Sequence, residues 1–407
     1  MSLIRPFRGL RPAPGRAADV IAPPYDVMNA AEARAMVEGR PLSFLHVSRP
    51  EVDLPPDTDP YADAVYAKGA ENLRRLIDSG VLRQDPQPCY YAYRLVMDGR
   101  AQLGVVVAAS VRAYDENRIR RHEFTRPDKE NDRVRHIDTS NAQTGPVFLV
   151  HRADAALDGV LARVAAGEPA ADVTAADGVR HTLWVIDSPA DIAAITAAAD
   201  AQGVLYIADG HHRSAAAARV AAARDGAPDA EHWYFLAVSF PHDQVKILDY
   251  NRLLTDLNGL DPDAFLGRVA EHFDCQPSAG QARPAKPHEF GMYLRGQWYR
   301  LTLKPGRVPD DPVGRLDVSL LHHYLIEPVL GVSDPRRDKR IDFVGGIRGL
   351  GELERRVDSG EMAVAFALYP TSLEDLMAVA DAGQVMPPKS TWFEPKLADG
   401  MVSHLLD

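Results

Sequence analysis

Apolar positions recur at helical spacing in YADAVYAKGAENLRRLIDSGVL (61–82). Tyr61, Val65, Leu73, Leu76 and Ile77 form one stripe there, and Gly80 closes it, which predicts an amphipathic helix. Shorter apolar runs predict strands. CYYAYRLVM and LGVVVAASVRAY read as a pair around the turn Asp98-Gly99, and PVFLVHR, HTLWVID, WYFLAVSF and EMAVAFALYP follow as further strands. Helices are predicted near Ala30–Glu38, from Pro127 onward, in SPADIAAITAAADAQ behind a cap at Ser188 or around Asp191, and in LDPDAFLGRVAEHFD. RLDVSLLHHYLIEPVLG predicts a helix capped by Asp317 and stopped by Pro328, and Thr371 with Glu374 has capping-box spacing before SLEDLMAVADAG. The first 60 residues are proline-rich and read as extended chain and turns around one helix. Strands and helices mix without strict βαβ alternation, so an α+β (mixed α/β) fold is expected. Three stretches are expected: an N-terminal α+β region over 1–150, a core over 151–275, and a C-terminal α+β region over 276–407, opening in the Pro/Gly/Ala-rich segment after Cys275.

Composition narrows the class of partner. With 407 residues, 46% hydrophobic and 25% charged, the chain is long enough for two or three domains of ordinary globular make-up. The net charge of −11 argues against a nucleic-acid or anionic-membrane partner. The two cysteines, Cys89 and Cys275, have neither metal-ligand nor disulfide-framework spacing and read as reduced thiols. The basic start lacks the apolar core of a secretory signal, and no apolar run has the length of a membrane span, so a cytoplasmic location is expected. A homodimer is left open.

The chemistry concentrates in LYIADGHHRSAAAARVAAA (205–223). Leu205–Ala208 reads as a buried strand, and the alanine-rich run from Ser214 as a helix, which makes Asp209–Arg213 the turn between them. A helix N-terminus presents unpaired N–H groups and partial positive charge, which suits phosphate. Gly210 permits close backbone approach, and Arg213 supplies a planar fork for phosphate oxygens. Asp209, His211 and His212 are candidates for proton transfer, for holding a tautomer, or for a metal ion. Taken singly these residues are ordinary caps, ion pairs and packed histidines; five in a row at a strand-to-helix turn favour a ligand site.

YIADGHHR resembles the signature of the bacterial family called domain of unknown function 1015. IAPPYDV (21–27), RRHEFT (120–125), DR (132–133), LDVSLLHHYLIEPVLG (316–331) and MPPKSTWFEPKLADGMV (386–402) resemble it in the same order, over essentially the whole chain. The turn is similar to the phosphate-binding turn of the ParB/sulfiredoxin-like superfamily, which includes CTP-hydrolysing partition proteins, ATP-using sulfiredoxins, and kinases of free serine that use ADP or ATP. The resemblance implies a ParB/sulfiredoxin-like core with a mixed sheet, extended by N- and C-terminal α+β segments. It implies that Asp209, Gly210, His211, His212 and Arg213 bind phosphate. At one place the chain departs from the expected pattern: Asn251-Arg252 stands where relatives are expected to carry His-Arg, so no catalytic part is carried over there.

Three other segments enter with this site. RIRRHEFTRPDKENDRVRH (118–136) holds seven Arg or Lys against four Asp or Glu, a basic patch in an acidic chain. Arg121, His122, Arg126 and Arg133 are expected to meet phosphates, with Glu123 as general base or Mg²⁺ ligand. PPKSTWFEPK offers Lys389, Ser390 and Thr391 to phosphate oxygens, with Lys396 in the same segment. Tyr25 and Asp26 are candidate substrate contacts. His322, His323 and Glu327 have metal-like spacing, but no third element completes a ligand set; the metal ligands are otherwise unassigned. No Walker A, GxGxxG, GxSxG, HExxH or paired CxxC string occurs. The expectation is a phosphoryl-transfer enzyme that takes ATP, ADP or CTP with Mg²⁺, or a phosphorylated metabolite. Its reaction would be phosphorylation of free serine or a similar hydroxy compound, or the reverse phosphatase reaction. The alternatives are a ParB-like nucleotide-binding regulatory or DNA-associated protein and a non-catalytic phosphometabolite sensor.

Overall fold

The computed structural model describes residues 2–407. Its contacts divide into two compact units: Met1–Val245 together with Pro395–Asp407, and Lys246–Glu394. This differs from three consecutive stretches, because the last residues return to the first unit. There Ser403–Leu405 pairs with both Gly9–Pro12 and Ala142–Gln143.

The first unit is built on one mixed sheet. Its strands are β1 (Ile4–Arg5), β2 (Tyr90–Met97), β3 (Arg100–Ser110), β4 (Ile119–Arg120), β5 (Val147–His151), β6 (Ala171–Thr174), β7 (Arg180–Ile186), β8 (Leu205–Asp209) and β9 (Tyr234–Pro241). The order is β4-β8-β5-β9-β3-β2-β7-β6, with β1 on β3. Strands β4/β8 and β5/β9 pair in parallel and the remaining neighbours antiparallel, which confirms the mixed-sheet, α+β expectation. Strand β5 is buried along its whole length, as its unbroken apolar run predicts. Val107, Leu149, Ile207 and Phe235 belong to the core beneath the helices.

Three helices matter to the site: α1 (Asp63–Asp78), α2 (Pro127–Ser140) and α3 (His211–Ala223). The alanines of α3 are explained by position. Ala217 and Ala221 pack into the sheet core, while Ala216 and Val220 pack with Ile137 of α2. A helix buried on two sides needs small side chains, and alanine is also the best helix former. Arg219 of α3 and Arg224, just past its end, pair with Glu130 and Asp138 of α2 at 3.2 and 3.0 Å. These contacts hold α2 alongside α3.

The second unit carries an antiparallel sheet of β10 (Tyr250–Leu254), β11 (Phe273–Ser278), β12 (Glu289–Leu294), β13 (Gln297–Leu303), β14 (Ile341–Gly345) and β15 (Val364–Leu368), ordered β11-β13-β12-β15-β10-β14. Two local expectations change there. The helix expected over the LDVSLLHHYLIEPVLG segment is α-helical only over Asp317–Leu321 and continues as a π turn over His322–Ile326. The cap before Leu373–Asp381 is Ser372, which accepts from Asp375 N–H at 3.0 Å, rather than Thr371. Among the described residues no helix is long and apolar enough to cross a membrane.

Candidate functional site

Strand β8 ends in a register shift against β5 between Ile207 and Asp209, which turns the chain out of the sheet at Asp209. Gly210 follows with φ of 96°, left-handed backbone that a side chain resists. A Cβ there would also crowd the Arg213 guanidinium, standing 3.0 Å from its Nε. The helix then starts at His211, three residues before the expected Ser214. The turn is Gly210 alone; His211, His212 and Arg213 form the first helical turn, and Ser214 donates its buried hydroxyl to the His211 carbonyl at 3.0 Å. No side chain caps the helix, and the N–H groups of His211 and His212, its first two, have no intrahelical acceptor. Asp209 bends back to accept from Gly210 N–H at 2.9 Å.

Two cations meet Asp209. Arg213 Nη2 lies 3.5 Å and Lys396 Nζ 3.6 Å from its Oδ2. Burial would raise the Asp209 pKa, but Lys396 and Arg213 together outweigh it and hold the carboxyl below the ordinary range. Arg213 is 8% exposed and donates from Nη1 to the Pro146 carbonyl. Burial opposes its charge, and Asp26, Asp209, Tyr25 and Asp399 outweigh burial, so its pKa is raised. Asp26 Oδ2 lies 3.9 Å from Arg213 Nη2. Sequence reasoning named Lys396 without a role and passed over Asp399. Asp399 is brought in by tertiary pairing: it exchanges backbone hydrogen bonds with Ala22 at 2.9 and 3.1 Å. Its carboxyl is buried, and desolvation pushes its pKa up to about 7 against the pull of Arg213.

The 121–126 loop covers the other side. Glu123 Oε2 stands 3.8 Å from His211 Nδ1, and Arg126 N–H donates to His212 Nε2 at 3.0 Å. His122 packs edge-on to His211 with ring centres 4.5 Å apart. Burial lowers the pKa of both rings, that of His122 to about 4, and keeps them neutral at neutral pH. His122 is therefore a buried support for His211 rather than an open phosphate contact, since a sealed neutral ring offers a ligand neither charge nor access. His212 is less buried, and desolvation lowers its pKa too.

The basic residues separate by partner. Arg133 bonds Asp132 through Nε and Nη2 at 3.0 and 2.8 Å and stacks 3.9 Å from the centre of the Tyr25 ring. It is an internal ion pair beside the site, not a free cation. Burial pushes the Tyr25 hydroxyl up to about 12, so it stays a donor. Tyr25, Arg133, Arg213 and Asp399 line one cavity of about 30 Å³. Arg126 is exposed and paired with Asp128 at 2.8 Å. Arg121 is exposed and lies over Tyr114, 5.0 Å from the ring centre. Lys389, Ser390 and Thr391 belong to the second unit, where Ser390 Oγ donates to the Pro387 carbonyl at 2.6 Å.

His122, Glu123 and His211 hold potential ligand atoms within 4.8 Å of one another. Two imidazoles and one carboxylate suit a transition metal better than Mg²⁺, which prefers oxygen. Oxygen ligands of the kind Mg²⁺ prefers are at hand in the exposed carboxylates of Asp26 and Glu123.

Among solved structures, a free serine kinase in complex with AMP is similar at a TM-score of 0.35 and 13% identity, covering 71% of this chain and 86% of that one. A conserved hypothetical protein from Pyrococcus furiosus is similar at 0.34 and 14%, covering 73% and 93%. SbnI with C-terminal truncation from Staphylococcus aureus is similar at 0.32 and 12%, covering 72% and 85%. Scores of this size leave the chemistry to be argued from the site itself. No curated protein matches the chain. The sequence model of the family described as protein of unknown function (DUF1015) matches residues 4–319, a span that takes in Asp26, Glu123 and the whole strand-to-helix turn. The chain belongs to the DUF1015 family.

Proposed function

We propose that the chain is a phosphoryl-transfer enzyme whose first unit binds the phosphates of a nucleotide or phosphorylated metabolite at the start of α3. One observation carries this: the uncapped helix N-terminus stands beside two cations, Arg213 and Lys396, which converge on one carboxylate, Asp209. Incoming phosphate oxygens take N–H groups of His211 and His212 and compete with Asp209 for the two cations. Asp209 keeps those cations in place before the ligand arrives. Its lowered pKa makes it a poor base, so it acts by charge and position.

The acceptor's hydroxyl oxygen forms the new bond to phosphorus as the bridging P–O bond of the donor breaks. The proton goes to the Glu123 carboxylate, whose side chain is 48% exposed beside His211. The leaving phosphate carries away the bond's electron pair, and Arg213 and Lys396 stabilise that charge. Mg²⁺ bound with the phosphates would neutralise part of it. ATP, ADP and CTP are the candidate donors, and a small hydroxy compound such as free serine the acceptor. The choice of serine rests on the likeness of the turn's sequence to that of the free serine kinases. The same parts serve the reverse reaction, in which Glu123 activates water.

Phosphorus NMR of the full chain with ATP, ADP, CTP or pyrophosphate, Mg²⁺ and a panel of small alcohols including serine tests the proposal. Transfer from any donor, lost in Glu123→Gln while ligand binding persists, is the expected result. Binding without turnover for every donor and acceptor, phosphoserine included, would make this a sensor instead.

A further inference from the structure

The second unit buries a different arginine. Arg252 of β10 is 3% exposed, and its guanidinium donates from Nη1 to the Tyr250 carbonyl and from Nη2 to the Pro388 carbonyl at 3.4 Å. Its Cζ lies 5.4 Å from the centre of the Phe343 ring. No carboxylate pairs with it among the described residues; burial pushes its pKa down to about 9, offset only by Tyr250. It is still a cation at neutral pH. A guanidinium has five N–H donors, and two carbonyls leave that charge uncompensated. A neutral amide would hold the same two carbonyls without burying a charge, so stapling them together does not explain an arginine here.

The surroundings add positive charge. Lys389, next to the Pro388 that Arg252 holds, is exposed and makes no ion pair among the described residues. Its Nζ stands 5.6 Å from the centre of the Tyr250 ring, on the residue whose carbonyl Arg252 also holds. Its φ of 58° is left-handed, a conformation that a lysine adopts at a cost. The turn that imposes it is fixed from both sides: Ser390 Oγ donates to Pro387 O at 2.6 Å, and Thr371 Oγ1 donates to Ser390 O at 2.9 Å. His322 is near enough for the Arg252 charge to act on it, and its buried Nδ1 has no hydrogen-bond partner. Tyr250 and Trp392 stand edge to face at 5.2 Å beside the turn.

We propose that Arg252 and Lys389, with the 387–391 turn, form an anion site within the second unit, distinct in its residues from the start of α3, and that its ligand is a phosphate group. Lys389 meets the ligand. Arg252 acts through short-range charge and by holding the Pro388 carbonyl. Two cations with a hydroxyl residue, Thr391, following suit a dianionic phosphoryl group better than a single carboxylate. Inorganic phosphate and the phosphates of a nucleotide share this chemistry.

The test is calorimetric titration of the full chain with pyrophosphate, inorganic phosphate and ADP at fixed ionic strength, with chloride as the control anion. Lys389→Ala and Arg252→Gln are each expected to weaken one class of sites about tenfold. Arg213→Lys, which addresses the start of α3, leaves that class in place. Tighter binding of ADP than of inorganic phosphate identifies a nucleotide site; equal affinity identifies a free-phosphate site. Wild-type affinity and stoichiometry in both variants, or displacement by chloride, overturns the proposal. Should Arg252→Gln fail to fold, the exposed Lys389→Ala decides alone. Loss of binding in Arg213→Lys with Lys389→Ala unaffected would sink this proposal while leaving the function proposed for the first unit standing.

Discussion

Arg213 and Arg252 are buried to nearly the same degree, one in each unit, and their electrostatic situations are opposite. Arg213 has Asp26, Asp209, Tyr25 and Asp399 around it, and its charge is favoured. Arg252 has backbone carbonyls and an aromatic face, and burial works against its charge. Burial alone therefore says little about a cation's role; the neighbouring charges decide it. Removing the first leaves carboxylates without a partner. Removing the second relieves an uncompensated charge.

The sharpest way to break this contrast is to neutralise each arginine. Arg213→Ala is expected to cost about 2–3 kcal/mol in urea unfolding, below the usual figure for a broken buried pair because Asp26 and Asp209 are partly solvated. It should also abolish phosphate binding at α3. Arg252→Gln, which keeps donors for the carbonyls, is expected to stay within about 1 kcal/mol of wild type. Equal losses in the two variants would refute the comparison.

Gly210→Ala probes the geometry that places Arg213. A non-glycine residue in left-handed backbone costs about 1–2 kcal/mol, and the new Cβ also presses on Arg213 Nε. Phosphate affinity should fall more than stability does, seen by running titration and thermal unfolding on the same sample. A stable variant with unchanged affinity would show that the turn does not set the site.

The smallest effect sharpens the acidic side. The Asp399 carboxyl titrates near 7 in the fold against 3.8 as its ordinary value, so the folded state holds the extra proton between those values. Its contribution to stability is full below about pH 4 and lost as the pH rises through 7. Asp399→Asn keeps the neutral form at all pH values. Its thermal midpoint should exceed that of wild type by about 2–4 °C at pH 8 and by clearly less at pH 5, where only part of the contribution has been lost. A gain of the same size at both pH values would mean that packing, not ionisation, is responsible.

Much of the local structure was legible in the chain. The strand over Leu205–Ala208, which runs one residue further, the alanine helix after it, the helix within 61–82, whose stripe holds except for the exposed Tyr61, and Ser188 as one of the two caps offered follow from spacing and propensity, which act between near neighbours. The start of α3 was misplaced by three residues, because His211 and His212 are indifferent helix formers and only the backbone at Gly210 shows where the helix begins. The Thr371 box failed for a similar reason: Ser372, one residue later, is an equally good cap and accepts from the Asp375 N–H, so the helix starts one residue further on.

The amino-acid order alone determined that a carboxylate, a glycine, two imidazoles and a guanidinium stand consecutively between a strand and a helix, which brings an anion-ready helix end and a cation into one place. Tertiary structure decided what surrounds these groups. It turned His122 inward and paired Arg133 with Asp132. It also returned Lys396 and Asp399 from the far end of the chain to the Asp209–Arg213 pair. The physical reason is range: propensity and capping are set within a few residues, whereas burial and charge pairing depend on whatever side chains the folded sheet and helices bring within a few ångströms.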